Sequence, residues 1–146
     1  MSPGSPIKTG WSMRRKILTA VMVLACGSFV VIMVGLYSVL RDANKAVRDF
    51  GDALRQKQYQ RAYSMTSSEF QASASFQTFA NVHDGLVLRM GELKSIEVTE
   101  SEVKERNGGW YGTAEANLNF SRGTSPFVFT LKKESGSWKI YNYREE

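Results

Sequence analysis

Residues 107–143 read NGGWYGTAEANLNFSRGTSPFVFTLKKESGSWKIYNY, and their alternation decides the fold. Trp110, Gly112, Ala114, Ala116, Leu118 and Phe120 fall on one side of an extended chain, and Tyr111, Thr113, Glu115, Asn117 and Asn119 on the other. That period of two is the signature of a half-buried strand. Asn107-Gly108-Gly109 before it is a hairpin signal, because Asn and Gly tolerate positive φ. The segment SRGTSP reads as a loop into a further strand carrying Phe127, Phe129 and Leu131. Glu134-Ser135-Gly136 is the next turn, after which Trp138 and Ile140 alternate with Lys139 and Tyr141, and Tyr143 follows Tyr141 in the same phase. Upstream, Ile96 and Val98 alternate with Glu97 and Thr99, and Val103 to Arg106 leads into the Asn-Gly turn. These runs predict four antiparallel strands in a meander. The small side chains at 112, 114 and 116 leave room on the inner face for helices or for a cavity.

The residues preceding the strands change period. Ala43, Ala46, Val47, Phe50, Ala53 and Leu54 recur at spacings of three and four, which predicts an amphipathic helix with Gly51 as a weak point worth about 1 kcal/mol against Ala. A short helix is expected over Tyr59 to Met65. Thr66-Ser67-Ser68-Glu69 has the form of a capping box and predicts a third helical region. Phe70, Phe76, Phe79 and Val82 form its apolar face, and it is expected to end near Asp84-Gly85. Helices first and strands after define an α+β class with helices packed on one face of a curved four-stranded sheet.

Charge and hydropathy set the organisation of the remainder. The 146 residues carry 19 Lys and Arg against 14 Asp and Glu. Residues 1–40 hold Lys8, Arg14, Arg15 and Lys16 and no acid, so residues 41–146 are left with 15 bases and 14 acids. A nearly neutral domain argues against nucleic acid as a partner. From Ile17 to Leu40 there are 24 residues without an ionisable acid or base, about 36 Å as a helix, enough for a hydrocarbon core of about 30 Å. The reading is a cytoplasmic tail at 1–16, a transmembrane helix at 17–40 and an extracytoplasmic domain at 41–146. Arg14, Arg15 and Lys16 set the orientation. The apolar run is longer than that of a cleaved signal. Val23-Leu24-Ala25-Cys26 resembles a lipobox, but apolar residues follow it, so Cys26 is read as a thiol within the span.

The opening AVRDFGDALRQKQYQRAYSMTSSEF and the closing GSWKIYNY resemble the nuclear-transport-factor-2-like family, a cone-shaped α+β roll also termed cystatin-like. The resemblance covers most of residues 42–144. It implies a cone whose open end holds acid–base residues in the enzymes of the family. In single-span members it implies an assembly module of secretion and cell-envelope complexes. The strand half also looks a little like the cytochrome c oxidase assembly factor 1 family, which is membrane-anchored and non-enzymatic.

Two functions follow as expectations. The first is a membrane-held, non-enzymatic interaction module that binds a protein partner or a second copy through Tyr111, Glu115, Tyr141 and Tyr143 on the outer sheet face. Mixed aromatic and polar groups suit such contacts, although antiparallel sheets commonly have one wet face. The second is a binder of small apolar ligands, or an enzyme, with a pocket formed by Tyr63, Phe79, His83 and Asp84. His83 is read as a helix-terminal residue favoured by the carbonyl end of its helix rather than as a proton-transfer group. One cysteine and one histidine supply no Cys/His metal cluster, and no cofactor motif is present. The absence of a convergent acid–base set favours the interaction module.

Overall fold

The computed structural model describes the backbone of residues 13–146 and the side chains of Met22 and of residues 33–146. It divides into two units, residues 1–37 and residues 38–146. Helix α1, Met13–Arg55, runs into the second unit, followed by α2 (Tyr59–Ser64), α3 (Ser68–Ser73) and α4 (Phe76–Met90). Among the described residues no helix is long and apolar enough to cross a membrane. Residues 1–12 and most side chains of 17–40, Cys26 included, lie outside them, so the expected span and its orientation fall largely there.

In the second unit α1 buries Ala43, Val47, Phe50, Ala53 and Leu54, the stripe its spacing predicts. Gly51 is more than a weak point. A Cβ there would stand 2.6 Å from Cγ2 of Ile96, so glycine lets the helix approach β1 closely.

The helical region after α2 differs from its sequence reading in three ways. Ser67, not Thr66, is the N-cap of α3: its hydroxyl accepts from the Phe70 N–H at 3.1 Å, while Thr66 Oγ1 donates to the Tyr63 carbonyl. Thr66 is instead occupied by a parallel bridge to Ile140, which seats this segment on the free edge of β4. Next, the expected single helix is two, because Ala74 is extended and Ser75 caps a fresh start at Phe76. Finally, α4 does not end at Asp84-Gly85 but continues to Met90, and Val82 is half exposed rather than part of its buried face. Gly85 costs helix stability but does not break the hydrogen-bond ladder, whereas Gly91 with φ of 81° does. A Cβ at Gly91 would lie 2.0 Å from Ser121 Oγ as well as in the left-handed region. Gly91→Ala should therefore destabilise the domain by about 2 kcal/mol, read by chemical denaturation of the full chain.

The sheet comprises β1 (Leu93–Arg106), β2 (Gly109–Phe120), β3 (Gly123–Glu134) and β4 (Ser137–Glu145), in the order β1-β2-β3-β4 and antiparallel throughout. Asn107-Gly108 and Ser135-Gly136 close two-residue hairpins with positive φ at both positions, the turn whose twist matches that of paired strands. The expected loop 121–126 is only a two-residue turn, since pairing resumes at Gly123 opposite Phe120. The two apolar runs of β1 form one strand kinked by a bulge at Thr99, which keeps Ile96, Val98 and Val103 on the inner face. The inner face buries Ala114, Ala116, Leu118, Phe127, Phe129 and Leu131. The small residues of β2 make room for helices, and Trp138 lies over Gly112, where a Cβ would be 3.5 Å from its ring.

Candidate functional site

One irregularity in β4 rearranges the expected site. Leu131 faces Ile140 but Thr130 faces Asn142, so Tyr141 is the extra residue of a bulge. One inserted residue inverts all later alternation. Tyr143, expected beside Tyr111 on the outer face, is consequently turned inward opposite Phe129. Tyr141 itself is exposed.

Inside, Tyr143 meets His83. Phe79 and His83 are one turn apart on α4, with ring centroids 4.5 Å apart, and His83 Nε2 lies 2.8 Å from the Tyr143 hydroxyl. The imidazole stacks on Tyr59 and Tyr143 and meets the edge of Phe50. His83 is 6% exposed, in mid-helix and not at a helix end, so the expected interaction with the carbonyl end is absent and burial governs it. Burial lowers its pKa to about 4, a change only partly offset by the neighbouring Asp84 charge, and the ring is neutral at pH 7. Burial likewise raises the Tyr143 phenol well above its ordinary value. Tyr59 donates to Asp84 Oδ1 at 2.9 Å, and burial together with that carboxylate raises its phenol to about 12.

Of the pocket candidates, Phe79 packs against both His83 and Tyr63, with ring centroids 4.5 and 5.6 Å away, and Tyr63 also donates to the Ala74 carbonyl at 2.8 Å, tying down the α3–α4 break, whereas Asp84 is exposed and held by Tyr59. His83 borders a small cavity. The space between Leu54, Tyr59, His83, Leu86 and Phe120 is about 20 Å³, which holds a single water and no substrate. Six rings, those of Phe50, Phe70, Phe79, His83, Phe129 and Tyr143, fill the region where a cone would be hollow. Among the described residues no three His, Cys, Asp or Glu side chains are placed to hold a metal.

The larger concavity is on the opposite face of the sheet. A trough of about 400 Å³ is lined by Glu102, Lys104, Arg106, Tyr111, Thr113 and Thr130. Tyr111 is half-buried in its wall, and Glu115 is exposed four residues along the same strand. Lys104 and Arg106 escaped the sequence reading. Their signal was the even spacing of Glu100, Glu102, Lys104 and Arg106, which places all four on one side of β1. Also missed was the tie between α3 and this face: Glu69 pairs with Lys132, and Glu134 accepts from the Ser68 hydroxyl at 3.1 Å. Hydrogen bonding from Lys132, chiefly, lowers the Glu69 carboxyl to about 2.

Helices laid over the inner face of a four-stranded antiparallel meander give an NTF2-like fold. A solved Campylobacter jejuni protein provisionally named an NTF2-like transpeptidase superposes with a TM-score of 0.51 over 68% of this chain and 96% of that one. At 15% identity the likeness is one of fold. The chain belongs to the family described as protein of unknown function DUF3887, which matches residues 47–136. No curated protein matches the sequence.

Proposed function

We propose that this protein is a non-enzymatic interaction module, held at a membrane by residues 17–40 and engaging a protein partner through the outer face of its sheet. The observation that carries the reading is the contrast between the two faces: an interior packed with rings and a cavity of about 20 Å³, against an outer trough of about 400 Å³ beside Tyr111. Tyr111 offers ring area and a hydroxyl, and Thr113, Glu115 and Tyr141 add polar and aromatic groups, the mixture common at protein interfaces. The 24-residue run without charge, with Arg14 to Lys16 before it, supports an N-terminus in the cytoplasm and a domain outside it. A transpeptidase reading, after the name of the structural neighbour, would need a nucleophile beside a base. The ring nitrogen His83 Nε2 is instead engaged by the Tyr143 phenol within the core.

Copurification from mild detergent tests the reading. Tyr111→Ser with Tyr141→Ser should abolish partner capture by the full chain without altering its unfolding transition. Asp84→Asn should leave capture intact. The opposite pattern, with capture lost on changing Asp84 and unaffected by the tyrosine changes, would move the function to the interior.

A further inference from the structure

A cleft of about 220 Å³ opens between α1 and the β3–β4 hairpin, within the unit of residues 38–146. Asp42, Lys45 and Asp49, at spacings of three and four on one face of α1, form one wall, and Lys133, Ser137 and Trp138 form the other. The walls differ in what they offer. On the helix side Lys45 and Asp49 are paired with each other, while Asp42 has only Arg41, at 3.9 Å, as a counter-ion. On the hairpin side three donors are unengaged. The Lys133 ammonium and the Ser137 hydroxyl make no hydrogen bond or ion pair among the described residues, and the Trp138 indole N–H is buried without an acceptor in a side chain only 8% exposed. A buried donor left unpaired is costly and uncommon in folded proteins. The other buried side-chain atom in that state among the described residues, Asn44 Oδ1, is not part of the cleft wall.

An oxyanion would answer the three donors together. The lining as a whole, however, balances Lys45 and Lys133 against Asp42 and Asp49, so a purely anionic ligand would gain Lys133 and be repelled from the helix wall. A phosphate joined to an ammonium satisfies both walls. The place of the cleft in the chain names the source of such a group. Asp42 follows the end of the uncharged run at Leu40 by two residues and Asp49 by nine, which sets them about 3 to 14 Å further along α1. Headgroups occupy about 5–8 Å beyond the hydrocarbon core on each side of a bilayer.

We propose that this cleft binds the headgroup of an ethanolamine phospholipid, with the phosphate accepting from Lys133, Ser137 and the Trp138 indole N–H and the ammonium donating to Asp42. This rests on the reading of residues 17–40 as the membrane anchor. It identifies what the domain grips at the membrane surface, on a side of the fold separate from the outer sheet trough. The ammonium has N–H groups to give a carboxylate, which a choline headgroup lacks, and this sets the expected selectivity.

The full chain in a maltoside detergent, which carries no phosphate, can be titrated with short-chain phosphatidylethanolamine while its indole N–H resonances are followed. The Trp138 resonance, identified as the one absent from Trp138→Phe, should shift on titration. Lys133→Glu should weaken binding about tenfold, the worth of a charge-assisted hydrogen bond, with its unfolding transition unchanged. Wild-type protein should take phosphatidylcholine about tenfold more weakly than phosphatidylethanolamine, and Asp42→Asn should bind the two alike. A Trp138 resonance that does not move overturns the proposal, as does a Lys133→Glu chain that binds as well as the wild type. Equal binding of phosphatidylglycerol or phosphatidylcholine by the wild type overturns it too, and so does O-phosphoethanolamine binding as tightly as the lipid, which would mark a soluble ligand. The anchor is tested apart, by an alkaline wash of liposomes carrying the full chain. Release by the wash would overturn the membrane reading and the lipid occupant with it, whereas a chain that stays in the membrane but fails the titration removes the cleft alone.

Discussion

Phe50→Ala should cost about 3–5 kcal/mol and leave the domain only marginally folded, the range for emptying a fully buried aromatic site. Phe50 has no exposed surface and meets the rings of Phe79, His83, Phe129 and Tyr143 at centroid distances of 5.6 to 6.4 Å. It thus joins α1, α4, β3 and β4 through one side chain, and no neighbour can collapse into the space without loosening another pair. Urea unfolding of the full chain, followed by tryptophan fluorescence, should show the transition moved to lower denaturant with a similar slope. Trp138→Ala belongs to the same range, because Trp138 is buried over Gly112 on the same inner face. A transition unchanged by the Phe50 substitution would remove the aromatic cluster as the organising contact of the core.

Acidification should produce the second large effect. His83 has a folded-state pKa of about 4 against an ordinary value of 6.5, because burial disfavours the imidazolium. Below pH 6.5 the unfolded chain takes up this proton and the folded one does not, so stability falls as pH falls. The loss begins near pH 6.5 and is complete near pH 4. A shift of this size corresponds to about 3 kcal/mol, with about 2 kcal/mol gone by pH 5. Glu69, Glu92 and Glu145, whose carboxyls are all held below their ordinary values, add their own acid sensitivity at lower pH. His83→Phe separates the contributions. Its stability should be nearly flat between pH 7 and pH 5, where the wild-type protein declines. An equal decline in both proteins would show that His83 is not the titrating group.

Tyr111 and Glu115 were legible as a surface, whereas the place of Glu97 relative to the charges further along β1 was not. Uninterrupted alternation on β2 placed both outward. On β1 the bulge at Thr99 shifts the phase between Glu97 and Glu100, so no single period links Glu97 to Lys104. Only the pairing of β1 with β2 shows that all of them share one face.

Local chemistry was enough for much of the architecture. The period of three and four on α1, the period of two on β2 and the positive-φ turns at Asn107-Gly108 and Ser135-Gly136 are properties of short segments, and each specified its own element. Their order, helices before strands, implied the α+β class and the meander. Three things depended on contacts between distant segments. The end of α4 depended on Gly91 meeting the β2–β3 turn at Ser121, since Gly85 alone does not outweigh the packing of Leu86 and Met90. The cap of α3 depended on Thr66 being drawn to the edge of β4, which left Ser67 to serve the first turn. The face taken by Tyr143 depended on a single residue inserted opposite β3. A bulge is invisible to periodicity, because it belongs to the register between two strands and not to either strand alone, and it moved a tyrosine from the proposed interface into contact with the buried histidine.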